Sequence, residues 1–363
     1  MVSVLRTAAA FALLSPLALA QAPKTKNVIL VMTDGLRWQE VFQGADAALM
    51  NKESGTVTDI PALKKTYWRD SEQARRETLM PFLWSTIAKK GQIYGNRAIG
   101  SEAAVTNGKN FSYPGYNETL TGFSDDRIDS NDKKPNLNVT VLEWLHKKAA
   151  FQGKVAAFAA WDVLPYIFDS DRAGFPINAG WDPFPAVTPQ MEMLNLMKAQ
   201  LPRVWPDEPF DVLPFQTAHE YLKAKKPRVL YLSLGETDDW AHDRNYRLYL
   251  DAAHRVDAYL KTLWETVQAT PAYRDSTTMI VTTDHGRGTT PADWKSHGEK
   301  VPESKDIWIA VLGPDTKALG ERAHIPAVRQ DQIAATLAAL LGEDYGGAQP
   351  KAGKPIGDVL RLR

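Results

Sequence analysis

Three carboxylates and three imidazoles stand where short apolar runs end. Asp34 follows "NVILVMT", Asp238 and His242 lie in "ETDDWAH" after "RVLYLSLG", Asp284 and His285 follow "TMIVTT", and His297 comes in the next loop, "WKSHGEK". Carboxylate with imidazole is a donor set for zinc and similar divalent ions. Asp238 and His242 are four residues apart, so a helix beginning there puts both on one face, where they can grip one ion. Asp284 and His285 are adjacent and would point to opposite sides of a strand; the pattern predicts a break at Gly286 that lets both reach a metal. Taken singly, Asp34 before Gly35 reads as a turn residue, Asp238 as a helix cap and His297 as surface decoration. Their joint placement at strand ends points to a metal site. His146, His219, His254 and His324 have no such partners and read as structural or solvent-facing.

Two divalent ions alone would make a hydrolase that activates water; a nucleophilic side chain would make a two-step enzyme. The stretch "VTNGKNFSYPGYNETLTGF" offers Ser112, two residues before Pro114, a residue suited to a helix's first turn. A hydroxyl there faces unpaired N–H groups and the positive end of the helix dipole, which favour an alkoxide and a phosphoryl group. The plainer reading is that Ser112 only caps the helix, and Thr106 and Ser101 are rival nucleophiles.

The elements that must position these residues read as an alternation. Strands are expected over 26–35, in "GQIYGNRAI", over 154–162, over 228–236, in "TMIVTTDHG" and in "IWIAVLGP". Helices are expected over 79–90, 139–150 and 244–269, and in "RQDQIAATLAALLG" with Gly342 near its end. In 244–269 the residues Tyr249, Ala252, Ala253, Val256, Leu260, Leu263 and Val267 share one face. Such alternation predicts an α/β three-layer sandwich with a mostly parallel central sheet, in which ligands bind beyond the carboxyl ends of the strands. The Pro- and aromatic-rich segment 163–215 fits the rhythm poorly and reads as a cap-like insertion that shapes a cleft within a single domain, 21–363.

The first twenty residues, "MVSVLRTAAAFALLSPLALA", carry Arg6, an apolar run and Ala18-Leu19-Ala20, the layout of a cleaved secretion signal. The expected location is therefore periplasmic or secreted. Without Arg6 the mature chain has 42 basic and 43 acidic residues, which offers no electrostatic case for a nucleic-acid duplex or an anionic membrane surface. No later stretch is long and apolar enough to span a membrane. The chain has no cysteine, which excludes disulfides and thiolate chemistry. Nothing in the sequence sets an oligomeric state.

The ordered set "MTDG", "FSYPGYNETLTG", "GETDDWAH", "VTTDHG" and "SHG" resembles the alkaline phosphatase superfamily, closest in style to its nucleotide pyrophosphatase/phosphodiesterase branch. The resemblance spans about residues 27–300. It implies an alkaline phosphatase-like fold and a two-metal hydrolase of small phosphate esters, diester or monoester, acting through a phosphoseryl intermediate. By position, Ser112 falls on the branch's nucleophilic threonine, with Pro114 two and Gly122 ten residues on, which favours it over Thr106. The resemblance then places Asp34, Ser112, Asp284 and His285 on one ion, most simply zinc, and Asp238, His242 and His297 on the other. The phosphate-contacting asparagine is expected at Asn131, with Asn136 as rival. Serine for threonine, Ala241 for the glycine before the histidine, and "GYN" for Asn-His are departures that bear on substrate.

Two other readings compete. A sulfatase would need arginine where "SYPGY" has Tyr116, and an exported metal-containing binding protein would use the same ligands without turnover. On substrate, Lys109, Arg287 and Lys295 are candidate cations for a monoester dianion. Tyr113, Tyr116, Trp161 and Tyr166 are candidates for an aromatic wall that a diester's second group would stack on.

Overall fold

Strand β1 (Asn27–Thr33) is buried at all its positions, as an unbroken apolar run requires of a strand covered on both faces. In the computed structural model, which describes residues 23–360, β1 lies between two parallel neighbours, β6 (Val229–Leu234) and β7 (Thr277–Thr283). The segment read as a secretion signal lies outside the described residues. Beyond β6 come β4 (Val155–Ala159) and β5 (Ile177–Ala179), both parallel. Beyond β7 come β8 (Ile309–Leu312), β2 (Gln92–Tyr94) and β9 (Gly320–Glu321). Strand β8 runs antiparallel to β7 and β2, so this eight-stranded sheet is parallel but for one member. Two further strands, β3 (Ala103–Ala104) and β10 (Val328–Arg329), pair with each other.

Alternate side chains along the strands feed two cores. On one face Ile29, Val31, Leu230 and Leu232 meet helices α3 (Val212–Lys225) and α5 (Tyr246–Ala269). On the other, Val28, Leu30, Val229 and Tyr231 meet α1 (Ser112–Thr121), α2 (Val141–His146) and α6 (Ile333–Leu340). This is the expected three-layer sandwich. The seven residues that the periodicity of 244–269 puts on one face are all buried in α5. Asp257 is also buried there, and it accepts from the N–H groups of Phe82 and Leu83 at 2.7 and 2.8 Å.

The stretch 79–90 is not one helix. Leu79 closes the helix Glu72–Leu79, and a π-helical turn, Leu83–Ile87, then runs into helical Ala88–Lys90. The segment 163–215 supplies the edge strand β5 and the helix Pro189–Gln200. The buried Lys198 ties the two together, donating to Asn178 Oδ1 and to the Gly180 and Asp182 carbonyls at 3.1–3.2 Å.

Register positions the site. Thr33 pairs with Leu234 on one side and Thr283 on the other, so the three central strands end level. Asp34, the helix α4 (Glu236–His242) and Asp284 therefore leave the sheet at the same edge.

Candidate active site

Asp34, Asp284 and His285 converge just past β1 and β7. His285 Nε2 is 3.3 Å from Asp34 Oδ1, 3.4 Å from Asp284 Oδ2 and 3.8 Å from Asp238 Oδ1. His285 Nδ1 is 2.9 Å from the Gly286 carbonyl, an acceptor only, so Nδ1 carries the hydrogen and Nε2 faces the carboxylates. Asp284 Oδ1 accepts from the N–H groups of Gly35 and His285 at 3.1 and 2.9 Å. That fixes the carboxylate and leaves Oδ2 without a hydrogen-bond partner, as Asp34 Oδ1 also is.

Gly286 serves this geometry differently from the break expected of it. Strand β7 already ends at Thr283. What requires glycine is space, because a Cβ on Gly286 would lie 2.2 Å from the Asp306 carbonyl oxygen.

A second group adjoins the first. Asp238 and His242 share a face of α4, with His242 Nε2 3.1 Å from Asp238 Oδ2. His297 brings its Nε2 to 3.0 Å from that of His242 and 3.8 Å from Asp238 Oδ1, and its ring stacks on His285 with centroids 3.9 Å apart. Asp34–Asp284–His285 and Asp238–His285–His297 are the two described groups compact enough to hold an ion, and His285 belongs to both.

The electrostatics fit cations. Burial, then the Asp34 charge, pushes the Asp284 carboxyl well above its usual range. Burial disfavours charge on His285, yet Asp284 and Asp34 raise its pKa to about 9, so the cluster draws positive charge inward. Burial, then His285 and Arg287, pushes His297 below the usual imidazole range and keeps it neutral, as a metal ligand must be. Buried carboxylate oxygens without donors, beside a free imidazole nitrogen, are what divalent ions satisfy.

Ser112 opens α1 and is buried, with its Oγ 3.4 Å from His285 Nε2. The N-cap is Phe111 and makes no side-chain cap bond, so Ser112 is not there to cap the helix. One turn on, Tyr116 faces the same way, and its hydroxyl donates to Asp34 Oδ2 at 3.1 Å and meets Ser233 Oγ at 2.6 Å. A Cβ on Gly115 would lie 2.3 Å from the Asp284 carbonyl oxygen, so glycine lets α1 press against the strand end. The rival hydroxyls are tied elsewhere. Thr106 Oγ1 donates to Glu118 at 2.8 Å, and Ser101 Oγ accepts from the Gly95 N–H at 3.1 Å.

Outside this cluster lies a cleft of about 590 Å³ that Asp34, Ser112, Asn131, Asp238 and His242 share with Lys133, Trp161, Asp162, Asp207, Glu208 and Asp239. Asn131 reaches it by accepting from the Tyr113 N–H at 3.0 Å, at the start of α1. Its rival Asn136 is buried in a network with Asn117 and Asn138. The expected aromatic wall shrinks to Trp161. Tyr116 orients Asp34, Tyr113 is buried with its hydroxyl on the Lys134 carbonyl, and Tyr166 lines a neighbouring cavity. Of the candidate cations, Arg287 is buried beside Asp238 with hydrogen bonds to the Gly35 and Lys295 carbonyls, and Lys109 pairs with Glu299. Neither these two nor Lys295 line the cleft. Sequence reasoning missed Lys133, which does line it and pairs with Asp162 at 2.6 Å, and Glu208, whose carboxyl burial pushes well above its usual range. Both lie in loops, where no periodicity marks them.

The geometry has counterparts. The sequence matches the family model for type I phosphodiesterase / nucleotide pyrophosphatase over residues 56–315, a stretch holding every residue of the site except Asp34. No curated protein matches the sequence. Among solved structures, wild-type alkaline phosphatase PafA aligns with a TM-score of 0.60 at 12% identity, over 94% of this chain and 99% of that one. Murine ectonucleotide pyrophosphatase / phosphodiesterase 5, crystallised with AMP, gives 0.55 at 12% identity, over 93% and 100%. The lipoteichoic acid synthase LtaP from Listeria monocytogenes gives 0.57 at 14% identity, over 90% and 74%. These likenesses show the fold, and the family match goes further: the chain belongs to the type I phosphodiesterase / nucleotide pyrophosphatase family.

Proposed function

We propose that this protein is an exported, two-metal phosphodiesterase in which Ser112 attacks phosphorus. The observation that carries the reading is the position of Ser112 Oγ, at the start of α1 and 3.4 Å from His285 Nε2. Asp34, Ser112, Asp284 and His285 would hold one ion and Asp238, His242 and His297 the other, zinc suiting the mixed Asp/His set. The ions would supply Lewis acidity that lowers the Ser112 pKa and stabilises charge on the departing oxygen.

The chain's own residues do the rest. Tyr116 and the Gly35 N–H fix the Asp34 and Asp284 carboxylates, and the Gly286 carbonyl fixes the His285 ring. Ser112 Oγ forms a bond to phosphorus as the ester oxygen departs, and water then releases the phosphoryl group from the serine. Asn131, with its Oδ1 bound to the Tyr113 N–H, turns its amide NH₂ to a phosphoryl oxygen. The charges lining the cleft favour a diester over a monoester. Among the described residues Lys133 is the one lysine or arginine there, and Asp162 holds it. Residues 1–20 support export.

The test uses the mature protein with zinc, comparing initial rates on bis-p-nitrophenyl phosphate and p-nitrophenyl phosphate with and without a chelator. The expected result is preference for the diester, lost on chelation and restored by zinc. Preference for the monoester, or turnover indifferent to chelation, would overturn the reading.

A further inference from the structure

Ser112 aside, the candidate metal ligands come from four stretches of chain: the turn after β1, helix α4, the end of β7 and the loop of His297. One side chain binds or adjoins all four. Arg287 stands two residues after His285 and is only 1% exposed. Its Nε donates to the Gly35 carbonyl at 3.0 Å, its Nη1 to the Lys295 carbonyl at 2.7 Å and its Nη2 to the Asp238 carbonyl at 3.2 Å. Gly35 follows Asp34, Asp238 is itself a candidate ligand, and Lys295 is two residues before His297. The guanidinium also contacts Asp238 Oδ1. Glycine makes room for it: a Cβ on Gly35 would lie 2.7 Å from Arg287 Nε and 2.8 Å from Asp238 Oδ1.

A fixed positive charge beside a cation site lowers that site's affinity by Coulomb repulsion, so its place there must be offset by what it holds. Arg287 does not line the cleft, so its service is not to the substrate. Its planar fork of five N–H groups reaches three carbonyls in three directions, which a single ammonium does not. The three ties are not equally needed. The turn after β1 and helix α4 are joined a second time, by the Thr237 hydroxyl on the Asp34 carbonyl. The His297 loop meets them through the Lys295 carbonyl, while His297 Nδ1 lies a longer 3.3 Å from the Asn110 carbonyl. We propose that Arg287 is a positioning residue that sets His297 against Asp238 and His242, so that the second metal group is assembled before an ion arrives. This rests on the two-metal reading above and adds the residue that builds one of its two sites.

The test is zinc binding, by competition with a chromogenic chelator that reports the number of ions held and the affinity of each. In Arg287→Gln one of two zinc ions is expected to bind about 10–100-fold more weakly, the scale of a lost orienting partner, and the other within about threefold of wild type. Arg287→Lys keeps the charge without the fork and is expected to weaken the same ion by at least about fivefold; it also reports if Arg287→Gln does not fold. In a His297→Ala background, Arg287→Gln should change the affinity of the remaining ion by less than about threefold. Zinc held as tightly in both variants as in the wild type would overturn the proposal, and tighter zinc would make Arg287 a mere competitor for Asp238. Full affinity in Arg287→Lys would overturn it in favour of charge alone, and a large further loss in the His297→Ala background would overturn it by placing the effect at the other ion. A wild type that takes up no second zinc would overturn the two-metal reading and this one with it.

Discussion

Tyr116→Phe removes one oxygen from the site and keeps the ring that packs on Trp161 with centroids 5.9 Å apart. The lost hydroxyl donates to Asp34 Oδ2 at 3.1 Å and meets Ser233 Oγ at 2.6 Å. All three groups are buried, so water does not replace it. A hydrogen bond to a buried charged group contributes about 1.5–3 kcal/mol, and part of that is recovered as Asp34 rotates. Rotation is the functional cost, because Oδ1 then no longer points steadily at His285 Nε2. Losing an orienting partner of this kind typically lowers metal affinity or activity by about 10–100-fold. The expected outcome is weaker zinc binding by that factor, measured by competition with a chromogenic chelator, with kcat at saturating zinc falling less. Zinc affinity within about twofold of wild type would refute the orienting role assigned to Tyr116.

Other consequences are as direct. Burial, against the donors of Thr106 and Asn107, raises the Glu118 pKa to about 7 from 4.5. A raised acid contributes stability that is full below its unfolded value and lost as pH climbs through the folded one. Urea stability should therefore drop by about 3 kcal/mol between pH 4.5 and 7 on Glu118's account, a slope that Glu118→Gln should lack. Asn131→Ala should lower kcat for the diester by about 10–100-fold, read from initial rates, while leaving zinc content unchanged. Ser112→Ala should lose at least about a thousandfold in kcat, whereas Thr106→Val, which touches Glu118 and not the metal cluster, should retain most of it.

What the sequence reveals depends on which signals are local. Strands β1, β6 and β7 are legible because burial on both faces demands continuous apolar runs. The pairing of Asp238 with His242 is legible because four residues is about one helical turn. Strand β8 reads as a strand, but its antiparallel sense is set by partners far along the chain. The three-residue edge strand β5 lies in a segment whose prolines and aromatics mask it. The polar helix Glu72–Leu79 buries only Leu79 and so carries no apolar stripe. At the site, residue type marks the candidate ligands, but direction is hidden. Tyr116 looks like a wall residue until α1 turns its hydroxyl toward Asp34, and Arg287 looks like a loop charge until the fold buries it beside Asp238.

Whether Ser112 is the group that bonds to phosphorus is tested most directly by the stereochemical course of hydrolysis. A phosphorothioate diester of known configuration, hydrolysed in ¹⁸O-labelled water by the zinc-loaded enzyme, should give product with retained configuration at phosphorus, because attack by Ser112 and then by water inverts the centre twice. Inversion would mean that water attacks the substrate directly, and it would contradict the role of Ser112 as nucleophile.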